Sequence, residues 1–147
     1  MGGVQCSLEM SQELIENQSV WEKLGGTDGG APEAFAALVD AFYDRVTEDA
    51  LLRPMYPAES DLREERENLA LFLIQFFGGP GLYAIKRGHP RLRMRHHPFK
   101  IGPAARDAWL RHMEAALVAT PAAHPVQPIL WRYFQDTAHF LQNSDTD

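Results

Sequence analysis

Cysteine is almost missing from this chain, Cys6 being the only one. A lone thiol excludes an internal disulfide framework and a thiolate metal cluster. Its place ahead of the first periodic segment marks it as incidental. Long apolar runs are missing too. None approaches the roughly 20 residues that a membrane span needs, and the first residues lack the charged-then-apolar layout of a secretory signal. A cytoplasmic protein with no membrane partner is therefore expected. Apolar and polar residues nowhere alternate convincingly at period two, so no strand is predicted and no Gly-rich phosphate loop can follow one. HExxH, paired His/Cys spacings and carboxylate clusters for zinc or di-iron are lacking, as is a serine elbow with its triad.

Charge is unevenly spread. The formal net charge of −6 argues against a nucleic-acid partner, because phosphate affinity rests on basic surface. Residues 1–49 hold ten Asp/Glu and two Lys/Arg, whereas the window from Lys86 to Arg106 holds seven basic residues and no acid. Such a window is either a solvated basic loop or a site for an anion, phosphate or carboxylate.

The 147 residues suffice for one domain with its own core. The pattern predicts an all-α chain with four substantial helices and several short ones. Residues 1–19 read as an extension with a short amphipathic piece around Leu8, Leu14 and Ile15, leaving 20–147 as the domain. Val20 to Leu24 is a brief turn stopped by Gly25-Gly26. After Pro32, Phe35, Leu38, Val39, Phe42, Tyr43 and Val46 recur at helical spacing. A proline-interrupted segment runs from Leu51 to Tyr56. Asp61, with Glu64 three residues on, reads as a capping box for a helix bearing Leu62, Leu69, Phe72, Leu73 and Phe76. Residues 78–90 read as loop, and Arg91 to His97 as one or two helical turns closed by Pro98. Gly102-Pro103 opens a helix with Trp109, Met113, Ala116 and Leu117 inward. Pro128 opens the last, with Leu130, Trp131, Phe134, Ala138 and Leu141 inward.

Histidine is the side chain most often used for metal or haem ligation, and six are available. His112, His124 and His139 read as ordinary surface or core residues. His89, His96 and His97 lie inside the basic window. His96 follows Leu92 by four and precedes Phe99 by three, so a short helix places it on the apolar face. Arginines at 91, 93 and 95 surround it, and large aromatics come from three separate helices. A flat apolar ring with a metal and two carboxylates asks for that company: an imidazole, bulk and cations. A core histidine remains the alternative, as does a haem-free helical module whose basic window holds an anionic partner. Tyr43 and Trp109 also fall on apolar faces. Buried there, each must place an O–H or N–H, or else serve as core.

Gly78-Gly79-Pro80, Tyr83, the run Gly88-His89-Pro90-Arg91-Leu92-Arg93-Met94-Arg95-His96, Pro98-Phe99, Ile101 and Arg106-Asp107-Ala108-Trp109-Leu110 together resemble the group II truncated haemoglobins. Trp21 to Leu24 with Gly25-Gly26, and Ala41-Phe42-Tyr43-Asp44-Arg45-Val46, are similar to that family's start. The likeness covers roughly residues 20–142. It implies a two-over-two helical sandwich around haem b with His96 as proximal iron ligand. Tyr43 and Trp109 would lie in the distal pocket, and Tyr56 would pack on the haem at the distal corner.

Leu69, Phe72 and Phe99 are expected against the ring. Arg95 is the first choice for the propionates, with Tyr83 and Lys100 as weaker candidates. The resemblance implies O2, NO and CO as ligands, in a monomer or homodimer. It leaves open whether the chain carries or stores O2 or acts as an NO dioxygenase or peroxidase-like enzyme served by an external reductase. Glu65 and Arg66 stand where many globins keep a distal histidine, and the sequence alone does not fix the register there.

Overall fold

A computed structural model describes residues 11–58 and 60–147. Cys6 and Leu8 lie outside the described residues. The described chain is helical throughout, without strands. Residues 11–18 are helical (α1), followed by α2 (Val20–Lys23), α3 (Ala31–Val46), a 3-10 turn Arg53–Met55 and α4 (Arg63–Phe76). Then come α5 (Leu82–Arg87), α6 (Leu92–His96), α7 (Pro103–Val118), a 3-10 segment Pro121–Val126 and α8 (Gln127–Leu141). Helix α3 packs on α4 and on α7, and α7 packs on α8. The four long helices thus make the two-over-two sandwich, and short α6 rests on α8.

All six apolar positions expected on α3 are buried, from Phe35 to Val46. Met113, Ala116 and Leu117 of α7 meet Leu130 and Phe134 of α8 in the same core. Leu14 and Ile15 differ from expectation: both are exposed. What fastens α1 is polar, Glu13 and Glu16 bridging to Arg132 of α8 at 2.9 and 3.7 Å.

Two local expectations fail for physical reasons. The capping box at Asp61 does not form. Leu62 is pulled fully into the core and adopts a left-handed φ of 63°, so α4 starts at Arg63. Asp61 Oδ1 and Ser60 Oγ instead accept from the amides of Arg63 and Leu62, at 3.0 and 2.9 Å. The segment read as loop contains α5, which buries only Tyr83 and therefore shows no amphipathic stripe. Gly78 is required where α4 ends: φ is +100°, and a Cβ there would collide with the Gln18 carbonyl oxygen.

Candidate functional site

Hydrogen bonds and exposure together separate the histidines. His89 Nδ1 accepts from the Arg91 amide at 3.1 Å, bracing a turn in which Arg91 has φ 46°. His112 Nε2 pairs with Asp49 Oδ2 at 2.5 Å. His124 and His139 meet the carbonyls of Val118 and Gln135, and both rings are exposed. His97 is exposed as well. His96, on the last residue of α6, is half-buried, and its Nδ1 lies 2.7 Å from the Leu92 carbonyl one turn back. That bond fixes the tautomer, with the proton on Nδ1 and the lone pair on Nε2, the form that ligates a metal.

The loop after His96 is held by a distant residue. Asn143 donates through Nδ2 to the Phe99 carbonyl at 2.7 Å and to the His96 carbonyl at 3.5 Å, and accepts from the Ile101 amide at 2.8 Å. Nothing in the local pattern signals a clasp spanning more than forty residues. Around α6, Arg95 donates to the Pro90 carbonyl at 2.8 Å and to the Arg87 carbonyl at 3.2 Å. It braces the preceding loop and keeps its remaining N–H groups for another acceptor. Lys100 donates to the Asp147 carbonyl. Tyr83 is buried with its ring edge-on to Phe72 at 5.6 Å. Phe99 is 41% exposed.

The other half of the site comes from α3, α4, α7 and the turn before α4. Tyr43 is buried and meets Tyr56 edge-on, centroids 5.8 Å apart. Burial chiefly, then the neighbouring Tyr56, hold the Tyr43 phenol well above its ordinary pKa, and burial raises Tyr56 too. Both therefore remain hydroxyl donors. Phe42, read from sequence only as core, is the hub: its ring lies 5.0 Å from Tyr43 and 5.1 Å from Trp109. Trp109 is half-buried, also against Phe134 at 5.7 Å, and its indole N–H is a donor only. Leu69 and Phe72 are partly buried against the core.

The structure resolves the register of α4. Arg66 turns outward to Asp44 and Asp40, at 2.9 and 3.2 Å. Glu65 turns inward, its Oε2 buried without a hydrogen-bond partner, as is Asn68 Oδ1 one turn on.

This donor set fits the haem that the resemblance implies: one imidazole with its tautomer fixed, phenol and indole donors from separate segments, and orphaned buried oxygens on α4. Among the described residues no cluster of three His, Cys, Asp or Glu could hold a metal by itself. Among them, too, no helix is long and apolar enough to cross a membrane.

The sequence pattern of the bacterial-like globin family matches residues 19–143. The chain is 40% identical over 111 residues to the group 2 truncated hemoglobin of Bacillus subtilis, covering 76% of this chain and 83% of that one. Among solved structures, the hemoglobin of Chloroflexus aurantiacus is 45% identical, with a TM-score of 0.76 over 85% of this chain and 98% of its own. The group II truncated hemoglobin of Bacillus anthracis is 34% identical, with a TM-score of 0.77 over 87% and 93%. Helices, site and relatives agree: the chain belongs to the bacterial-like globins as a group II truncated haemoglobin, with haem as its cofactor.

Proposed function

We propose that this haem globin binds O2 reversibly, His96 holding the iron through Nε2 while Tyr43 and Trp109 donate hydrogen bonds to the ligand. The observation that carries this reading is the His96 ring, whose Nδ1 is committed to the Leu92 carbonyl at 2.7 Å. A carbonyl partner orients the imidazole and raises its basicity toward a metal. Haem supplies the iron that takes up the gas. The chain's part is to hold that iron on one side and set polarity on the other, the property that separates O2 binding from activation in haem pockets. NO and CO bind at the same position. Leu69, Phe72, Tyr56 and Phe99 pack against the ring, and Arg95, with Tyr83 and Lys100, serves its propionates. Residues 20–147 form the globin domain and 1–19 an extension. The protein works in the cytoplasm as a monomer or homodimer.

A second reading has an observation of its own. The inward carboxylate of Glu65 is an acceptor, which a simple O2 carrier does not need, and of the two enzymatic alternatives, NO dioxygenase and peroxidase-like, it favours the peroxidase-like one, served by an external reductase. Absorption spectra of protein made with ample haem, taken ferric, ferrous, oxygenated and carbonylated, test the first reading. A Soret band with a reversible oxygenated form is expected, and its absence overturns the assignment. Turnover with NO and a reductant separates carrier from enzyme.

A further inference from the structure

Helix α4 carries Glu65, Leu69, Phe72 and Phe76 at spacings of three and four, one face toward the core. At its N-terminal end Glu65 Oε2 is buried with no hydrogen-bond partner, and Asn68 Oδ1 is in the same condition. A buried oxygen without a donor is costly, and native folds keep one where function uses it. The neighbouring cation does not answer Glu65, because Arg66 is committed to Asp44 and Asp40. Near Glu65 instead stand Tyr43 from α3 and Tyr56 from the turn, which meet edge-on with centroids 5.8 Å apart and whose phenols are raised chiefly by burial, with the Glu65 charge adding to it. Neither phenol and not the Arg66 guanidinium changes charge between acid and neutral pH. O2, CO and NO bring no hydrogen to this place, so Tyr43 and Trp109 suffice for them. An unanswered acceptor suits a ligand that arrives with a proton.

We propose that Glu65 is the proton acceptor for small weakly acidic ligands, such as hydrogen cyanide and hydrogen peroxide, entering the distal pocket beside Tyr43. In the step, the H–X bond of the ligand breaks and its proton passes to Glu65 Oε2. The electron pair of that bond stays on X, leaving an anion that the iron of the haem held by His96 would accept. No oxidant or reductant is consumed, and the carboxyl later returns its proton to solvent. This rests on the haem reading above.

The test mixes ferric holoprotein with hydrogen cyanide in a stopped-flow instrument, with CO binding to the ferrous form as the aprotic control. Glu65→Gln keeps shape and loses the base, so cyanide association is expected to slow about a hundredfold while CO association changes little. Unchanged cyanide rates, or cyanide and CO rates shifted alike, overturn the proposal and leave Glu65 a packing residue. If the glutamine variant takes up no haem, Glu65→Asp carries the test, since a carboxylate set back by one methylene slows cyanide alone. A wild-type chain that binds no haem would sink the haem reading instead, so the two failures are distinct.

Discussion

Asp49 Oδ2 lies 2.5 Å from His112 Nε2, joining the turn after α3 to α7, with the two side chains 11% and 17% exposed. Asp49 Oδ1 accepts from the amides of Leu51 and Leu52 at 2.7 and 2.9 Å. The pair ties the segment leading to Tyr56 to the helix that carries Trp109. The hydrogen bond from His112, then those two amides, hold the Asp49 carboxyl below its usual value. A depressed carboxylate contributes stability above its unfolded pKa and loses it as pH falls through the lowered folded one. Asp49→Asn should therefore cost about 2 kcal/mol near neutrality, or ~5 °C in melting temperature, with the gap to wild type closing in acid. A gap that stays constant with pH would show that the charge of Asp49 contributes nothing.

The hydrogen bond of His96 and the exposure of His97 predict opposite outcomes for adjacent residues. His96→Ala removes the ring oriented by the Leu92 carbonyl and should abolish stable histidine-type ferrous spectra. His97→Ala, at an exposed position, should leave them nearly intact. Resonance Raman spectra of the deoxy proteins check both. A retained iron–histidine band in the first variant would move the ligand elsewhere.

Arg95 braces the Arg87–Arg91 loop through two carbonyls and is proposed to serve a propionate. Arg95→Ala should speed haem transfer to an acceptor globin. Unchanged release, together with DNA binding on a steep salt slope, would turn the basic window into a nucleic-acid surface. Lys86 already spends its charge on Glu64 and Glu67, at 3.3 and 3.2 Å.

Asn143 holds the backbone that follows His96. Its bonds are exposed, so Asn143→Ala should cost only about 1 kcal/mol of global stability. The local effect is larger in kind: hydrogen exchange at the Ile101 amide should accelerate selectively. Slow exchange there in the variant would show that the bonds from the Asn143 and Ser144 amides to the Ile101 carbonyl hold the loop alone.

Periodic burial was readable and long-range polar contact was not. Phe35, Leu38, Val39, Phe42, Tyr43 and Val46 announced α3 because one face meets the core at every turn, and all six are buried. Helix α5 stayed hidden because Leu82 and Ile85 are 47% and 82% exposed, so its apolar residues mark no buried stripe. Leu62 misled the start of α4, since core burial overrode the local cap. Glu65 and Arg66 were ambiguous from spacing alone. Only Asp40 and Asp44 on α3, drawing Arg66 outward, decide which of the two turns in. The links of Asp49 to His112 and of Asn143 to Phe99 join residues with no shared period, and no window along the chain reveals them.

Trp109 tests the polar pocket most directly. Its ring packs against Phe42 and Phe134, so Trp109→Phe keeps most of the bulk and removes the N–H. Bound O2 carries negative charge, and a hydrogen bond to a charged acceptor is worth roughly 1.5–3 kcal/mol. Since about 1.4 kcal/mol is a factor of ten, O2 dissociation should speed by about one to two orders of magnitude. CO carries less charge when bound, and its dissociation should change much less. If Trp109 were packing alone, the two gases would respond alike and weakly. Stopped-flow dissociation of both from both proteins decides the matter, and equal small shifts would leave Tyr43 and Tyr56 as the donors to test next.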